Sequence, residues 1–159
     1  MNNRENYGRQ NNLRYTEKDI NIAVNMIKQI KDALDLMFYL RERSQDHSFV
    51  LMLITANNMD LKKLLEYEKR DTDIVYDIDD EECICAVICQ ETKVDGGYRF
   101  AERIIRNILL DKGTNVYCSE IEVRTSKYSA KDVIFSVVDG FVKARQKDCS
   151  GEIVFKSIY

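Results

Sequence analysis

Residues 48–56 read SFVLMLITA, an apolar run interrupted only near its ends by Ser48 and Thr55. A segment this short has no polar side to offer to water. It predicts a strand buried on both faces, set in the middle of a sheet. Such a strand needs a layer of helix on either side.

The flanking pattern supplies those layers. On the amino-terminal side, Ile20, Ala23, Ile27, Ile30, Leu34 and Met37 repeat at the 3-4 spacing of a heptad seam, with Val24 and Phe38 beside it. Thr16 and Asp19 supply a helix start, and Arg41 to Ser44 a polar end, so a helix is expected over residues 16–44. Its seam fits packing within the chain and a parallel homodimer equally well. On the carboxy-terminal side, Asn57-Asn58 reads as a turn and cap, and Leu61, Leu64, Leu65 and Glu68 as a short helix. Residues 73–78 and 83–89 read as two strands of a hairpin around the acidic tip Asp79-Asp80-Glu81-Glu82. A helix follows over 97–110, closed by Lys112-Gly113. Val116, Cys118, Ile121 and Val123 define a strand whose inward phase changes between Cys118 and Ile121, which predicts a bulge there. A Ser129-capped helix with Val133, Ile134, Val137, Val138, Phe141 and Val142 inward precedes an edge strand at 152–155. The expected fold is α/β (α+β), a central mixed sheet of about five strands covered by helices and preceded by the heptad-patterned helix.

Composition bounds the function. The 159 residues fit one domain with a short leader at 1–15, rich in Asn, Arg and Gln and expected to be disordered; the domain proper is 16–159. A net charge of −3 disfavours a nucleic-acid polymer as partner. The longest apolar run is too short to insert into a membrane. Five cysteines, an odd number without a signal-peptide pattern, point to reduced thiols and a cytoplasmic protein. Cys83, Cys85 and Cys89 read as buried thiols rather than as metal ligands, and the single histidine, His47, has no local nucleophile to serve.

Three segments together resemble the GGDEF (diguanylate cyclase) family. Residues 73–83, DIVYDIDDEEC, resemble its strand, signature turn and second strand; QET at 90–92 with GYRFAERII at 97–105 resembles its strand-to-helix passage; residues 129–147 are similar to its closing helix. The resemblance implies a nucleotidyl cyclase palm-like fold, and a domain that often takes its signal through a preceding helix. The departures imply a degenerate member that is not an enzyme. Asp79 and Asp80 stand where the signature turn needs two glycines for close approach of backbone to nucleotide. Thr55 to Asn58 are neutral where the family carries a metal-binding carboxylate. The connection between the first strand and the hairpin is also short. No catalytic residue, metal or cofactor is therefore expected.

One family motif survives. Many cyclases carry an inhibitory Arg-x-x-Asp product site five residues before the signature turn, and Arg70-Asp71-Thr72-Asp73 precedes Asp79 by that interval. An Arg fork suits a phosphate or the Hoogsteen edge of guanine, and a carboxylate suits guanine N1–H and the exocyclic amine. The Arg of the family's AER helix lies beside this site, which here implies Arg103. Arg70, Asp73 and Arg103 are thus the expected cyclic di-GMP ligands. The resemblance implies a receptor module that relays the dinucleotide to a protein partner, in exopolysaccharide export or motility control for example. Read without the family, Arg70 and Asp73 are an ordinary i,i+3 ion pair, the acidic tip is a solvated turn, and the chain is a structural interaction or dimerisation domain without ligand.

Overall fold

The computed structural model describes residues 14–43 and 48–158. His47 and most of the expected leader lie outside them. The two leader residues within, Arg14 and Tyr15, are docked: Gln146 donates to the Arg14 carbonyl at 3.2 Å, and the Tyr15 hydroxyl donates to Asp139 at 2.9 Å.

The elements follow the expected order: α1 (Glu17–Arg43), β1 (Phe49–Asn57), α2 (Leu61–Glu68), β2 (Ile74–Asp79), β3 (Ile84–Gln90), α3 (Val94–Leu110), β4 (Thr114–Val123), α4 (Ala130–Gln146) and β5 (Ile153–Ile158). They form one five-stranded mixed sheet, β2-β3-β1-β4-β5. Its pairs are antiparallel except the last, β4 with β5. β1 is central as expected, with every residue from Phe49 to Ala56 buried. Phe49, Leu51 and Leu53 face a core closed by α1 and α4. Val50, Met52 and Ile54 face a second core closed by α2 and α3.

Capping fixes the helix ends. Thr16 and Asp19 bond reciprocally through side chain and backbone at 2.9 and 3.2 Å, and Ser129 with Asp132 does the same for α4. α2 is capped by Asp60 rather than by the Asn57-Asn58 pair. α3 begins three residues before the expected start and runs through Gly96 and Gly97. Gly97 is there for contact: a Cβ would stand 3.0 Å from Val50, so glycine lets the first turn settle on β1.

Two expectations are corrected. β4 holds unbroken register with β1 from Tyr117 to Val123, so there is no bulge between Cys118 and Ile121; the irregularity lies at Thr55/Asn57. The phase change arises because Glu120 and Glu122 are buried on the α3 side, which removes the apolar mark from two inward positions. The heptad seam is also displaced. The buried stripe of α1 is Ile22, Met26, Ile30, Leu34 and Phe38, a four-residue ridge joined by Met37. Ile20 is half exposed, and Ala23 and Ile27 are only partly covered. Most of the seam that fitted a homodimer through helix 16–44 is packed within the domain.

Ile30→Ala is therefore expected to lower the unfolding free energy by about 2–5 kcal/mol, measured by urea denaturation, without changing the molar mass seen by light scattering. Ile20→Ala is expected to change stability by less than about 0.5 kcal/mol.

Candidate functional site

Just past the last turn of α2 the chain folds back on itself at the Arg-x-x-Asp motif. Asp73 N–H donates to the Arg70 carbonyl at 3.0 Å, and Arg70 N–H donates to the Asp73 carboxylate at 2.9 Å. The Arg70 guanidinium closes over the same carboxylate, with Nη2 at 2.8 Å and Nε at 3.2 Å from Oδ1. Nη2 also reaches the Gln90 carbonyl at 2.7 Å and the Thr92 hydroxyl at 2.6 Å. Gln90 answers by donating to the Thr72 carbonyl at 2.7 Å. The motif is thus stitched to the end of β3. The charged hydrogen bond to Asp73 raises the Arg70 pKa further. Asp73 is buried, its side chain 2% exposed against 52% for Arg70. In this geometry Asp73 orients Arg70, and only movement of Arg70 opens its carboxylate to a ligand.

Arg103 arrives from α3. Its Nε lies 3.1 Å from Glu68, its Nη2 donates to the Glu68 carbonyl at 3.1 Å, and its guanidinium lies over the Phe100 ring. The three residues expected from sequence line one open cavity of about 200 Å³, together with Cys89, Thr92, Gly96, Arg99 and Phe100. Sequence reasoning assigned no role to Thr92 or Arg99. The signal for Arg99 was its place one turn before Arg103, where i and i+4 share a helix face. Arg99 has no ion-pair partner among the described residues, unlike Arg70 and Arg103. Three guanidiniums around one cavity make an anion-attracting surface on a chain of net negative charge.

The acidic turn is built differently. Asp79 accepts from the backbone N–H of Glu81 and of Glu82, at 3.0 and 3.1 Å, and so fixes the turn between β2 and β3. Glu82 is held by Lys18 of α1 at 2.9 Å and by Arg145 of α4 at 3.5 Å, and the Lys18 bond lowers its pKa. A hydrogen bond shared with Asp80 raises that of Asp77. A further cavity of about 380 Å³ lies here, lined by Asp60, Lys62, Asp77, Asp80 and Cys83 among others. Among the described residues no three His, Cys, Asp or Glu side chains are grouped to hold a metal ion. Burial pushes the Cys85 thiol up to about 12 and raises those of Cys89 and Cys118 well above their ordinary value, so these three are not thiolate nucleophiles at neutral pH. Cys83 sits in the turn, with positive φ, rather than on the strand face shared by Cys85 and Cys89.

No protein-family model matches the chain, and no curated protein does. Solved structures do. The GGDEF domain of DgcB from Caulobacter crescentus, in complex with c-di-GMP, superposes with a TM-score of 0.66 over 80% of this chain and 86% of that one, at 11% identity. Diguanylate cyclase SiaD from Pseudomonas aeruginosa, in complex with its activator SiaC, gives 0.64 over 80% and 57%, again at 11% identity. A microbial GGDEF domain described for its interaction with bis-(3,5)-cyclic di-GMP gives 0.60 over 79% and 92%, at 9% identity. The fold is that of GGDEF domains. No described helix is long and apolar enough to cross a membrane.

Beneath Gly97 in the first turn of α3 lies Glu120. It is 1% exposed and neither carboxylate oxygen has a hydrogen-bond partner. Burial raises its pKa from 4.5 to about 9, so the folded protein holds it protonated at neutral pH. The unfolded chain ionises it near 4.5, and folding takes up a proton between the two values. Stability is unaffected by this group below that window, falls as pH rises through it, and has lost the full amount above it. Denaturant unfolding between pH 5.5 and 8 is expected to show the parent losing up to about 1.4 kcal/mol per pH unit relative to Glu120→Gln.

Proposed function

We propose that this chain is a catalytically inactive GGDEF-like receptor that binds cyclic di-GMP at the Arg70–Asp73 cavity and relays the binding to a protein partner. One observation carries the reading. Arg70 and Asp73 on one loop, and Arg103 on a helix distant in sequence, line the same cavity. The neighbours in complex with c-di-GMP support the ligand class for this fold.

The cavity's size sets the binding mode. At about 200 Å³ it is smaller than a pocket that swallows a whole drug-sized ligand, roughly 300–1,000 Å³. One guanine fits in, and the rest of the dinucleotide lies across the rim. Arg70 contributes its Nη1 donors, which have no partner among the described residues, to guanine O6 and N7. Arg99 and Arg103 stand on the rim, where they meet phosphate oxygens through charge-assisted hydrogen bonds. Asp73 holds Arg70 in place, and takes guanine N1–H where the ligand draws Arg70 aside.

Lack of cyclase activity rests on the turn and on the end of β1. Asp79 and Asp80 put side chains where a nucleotide must meet bare backbone. Glu82 is already tied to Lys18 and Arg145. β1 ends in Thr55, Ala56 and Asn57, without the carboxylate that magnesium and a triphosphate require.

Calorimetric titration tests the reading. Cyclic di-GMP is expected to bind with micromolar or better affinity, and GMP and GTP much more weakly. Arg70→Ala is expected to weaken binding by about 1.5–3 kcal/mol, the worth of a charge-assisted hydrogen bond. Arg99→Ala and Arg103→Ala are expected to cost less individually, and Glu81→Ala nothing. No product is expected from GTP and magnesium. Absence of heat at saturating cyclic di-GMP would mean a purely structural interaction domain, and cyclic di-GMP formation would overturn the inactive reading.

A further inference from the structure

The flank of α3 away from the arginine cavity has no assigned role. Between α3 and the edge strand β5 runs a groove of about 660 Å³, lined by Tyr98, Glu102, Ile105, Arg106, Leu109 and Ile153, with Gly151 and Glu152 at one end. Tyr98, Leu109 and Leu110 are large apolar side chains left 42%, 56% and 73% exposed. The arrangement along the helix is ordered: an aromatic ring at one end, two leucines at the other, and Glu102 and Arg106 between. These two charges have the i,i+4 spacing of a helical ion pair. Yet neither has an ion-pair partner among the described residues.

We infer that this face binds a second copy of the chain, α3 packing antiparallel on α3 about a two-fold axis that passes between Glu102 and Arg106 on the exposed face, level with position 104. The argument is self-complementarity, which a two-fold interface demands. Reversing the helix about residue 104 maps position 102 onto 106 and position 98 onto 110. Each Glu102 then meets Arg106 of the second copy, so one contact gives two ion pairs at the centre. Each Tyr98 meets Leu109 and Leu110 of the second copy, so the exposed apolar groups cover one another at both ends. A parallel arrangement would set Glu102 against Glu102 and Arg106 against Arg106. The patch involves fewer side chains than the roughly 20–30 residues per partner of a standard interface, so the dimer is weak and concentration-dependent. This inference is independent of the ligand reading, because the groove residues are not those of the arginine cavity.

Sedimentation velocity on the full chain over a concentration series tests it. The parent is expected to shift from monomer to dimer as concentration rises. Glu102→Arg replaces two attractions with two repulsions and is expected to weaken association roughly tenfold or more. The double variant Glu102→Arg/Arg106→Glu restores both pairs and is expected to recover the parental dimer, which no loss of folding could do. Leu109→Ser is expected to weaken association without altering the charges. A parent that stays monomeric at every concentration overturns the proposal. So does a dimer insensitive to Glu102→Arg, or one abolished instead by Val24→Asp on the exposed side of α1.

Discussion

Burial of β1 on both faces is the constraint from which the architecture follows. Seven of its residues, Phe49 to Ile54 and Ala56, present only apolar side chains, so neither face can be left to water. The strand must lie inside a sheet, and both of its edges must be paired, by β3 on one side and β4 on the other. The two cores divide along its alternation, α1 and α4 over the odd-numbered residues, α2 and α3 over the even. The arginine cavity is a by-product of that second layer. α3 must come down over Val50, Gly97 allows it to, and the descent brings Arg99 and Arg103 beside the loop that leaves α2.

Where the sequence was legible, it was because one physical signal dominated. The two short strands around an acidic tip, the caps at Thr16 and Ser129, and the apolar run Phe49–Ile54 of β1 each point one way. It was misread where burial and polarity part company. Glu120 and Glu122 look like surface residues, yet they face the α3 core, and their presence disguised a regular strand as an interrupted one. On α1 two apolar stripes compete. A heptad and a four-residue ridge share Ile30 and Leu34 and part at Ile20 and Ile22, and only the shape of the surface beneath decides between them.

The candidate site was legible to a similar depth. Arg70 and Asp73 stand out by mutual spacing and by their interval from the turn, and the cavity draws Arg103 to them. What spacing could not supply was the division of labour. A buried carboxylate gripping a half-exposed guanidinium is a support and its tool, a distinction that depends on depth below the surface. Spacing could place Arg99 on the helix face of Arg103, but not show that it lacks an ion-pair partner among the described residues, a property of the folded surroundings and not of the residue.

The tie between Lys18 and Glu82 has a mechanical side. α1 has 27 residues and is roughly 40 Å long. Its first turn grips the hairpin tip, Asn25 donates to the Ile78 carbonyl of β2, and its later turns are seated on the sheet. The exposed Lys18–Glu82 pair adds little rigidity by itself. What makes α1 part of the domain rather than a separate arm is the seating of Ile22, Met26, Ile30 and Leu34 against the sheet, so the acidic tip and the start of α1 share one packed body.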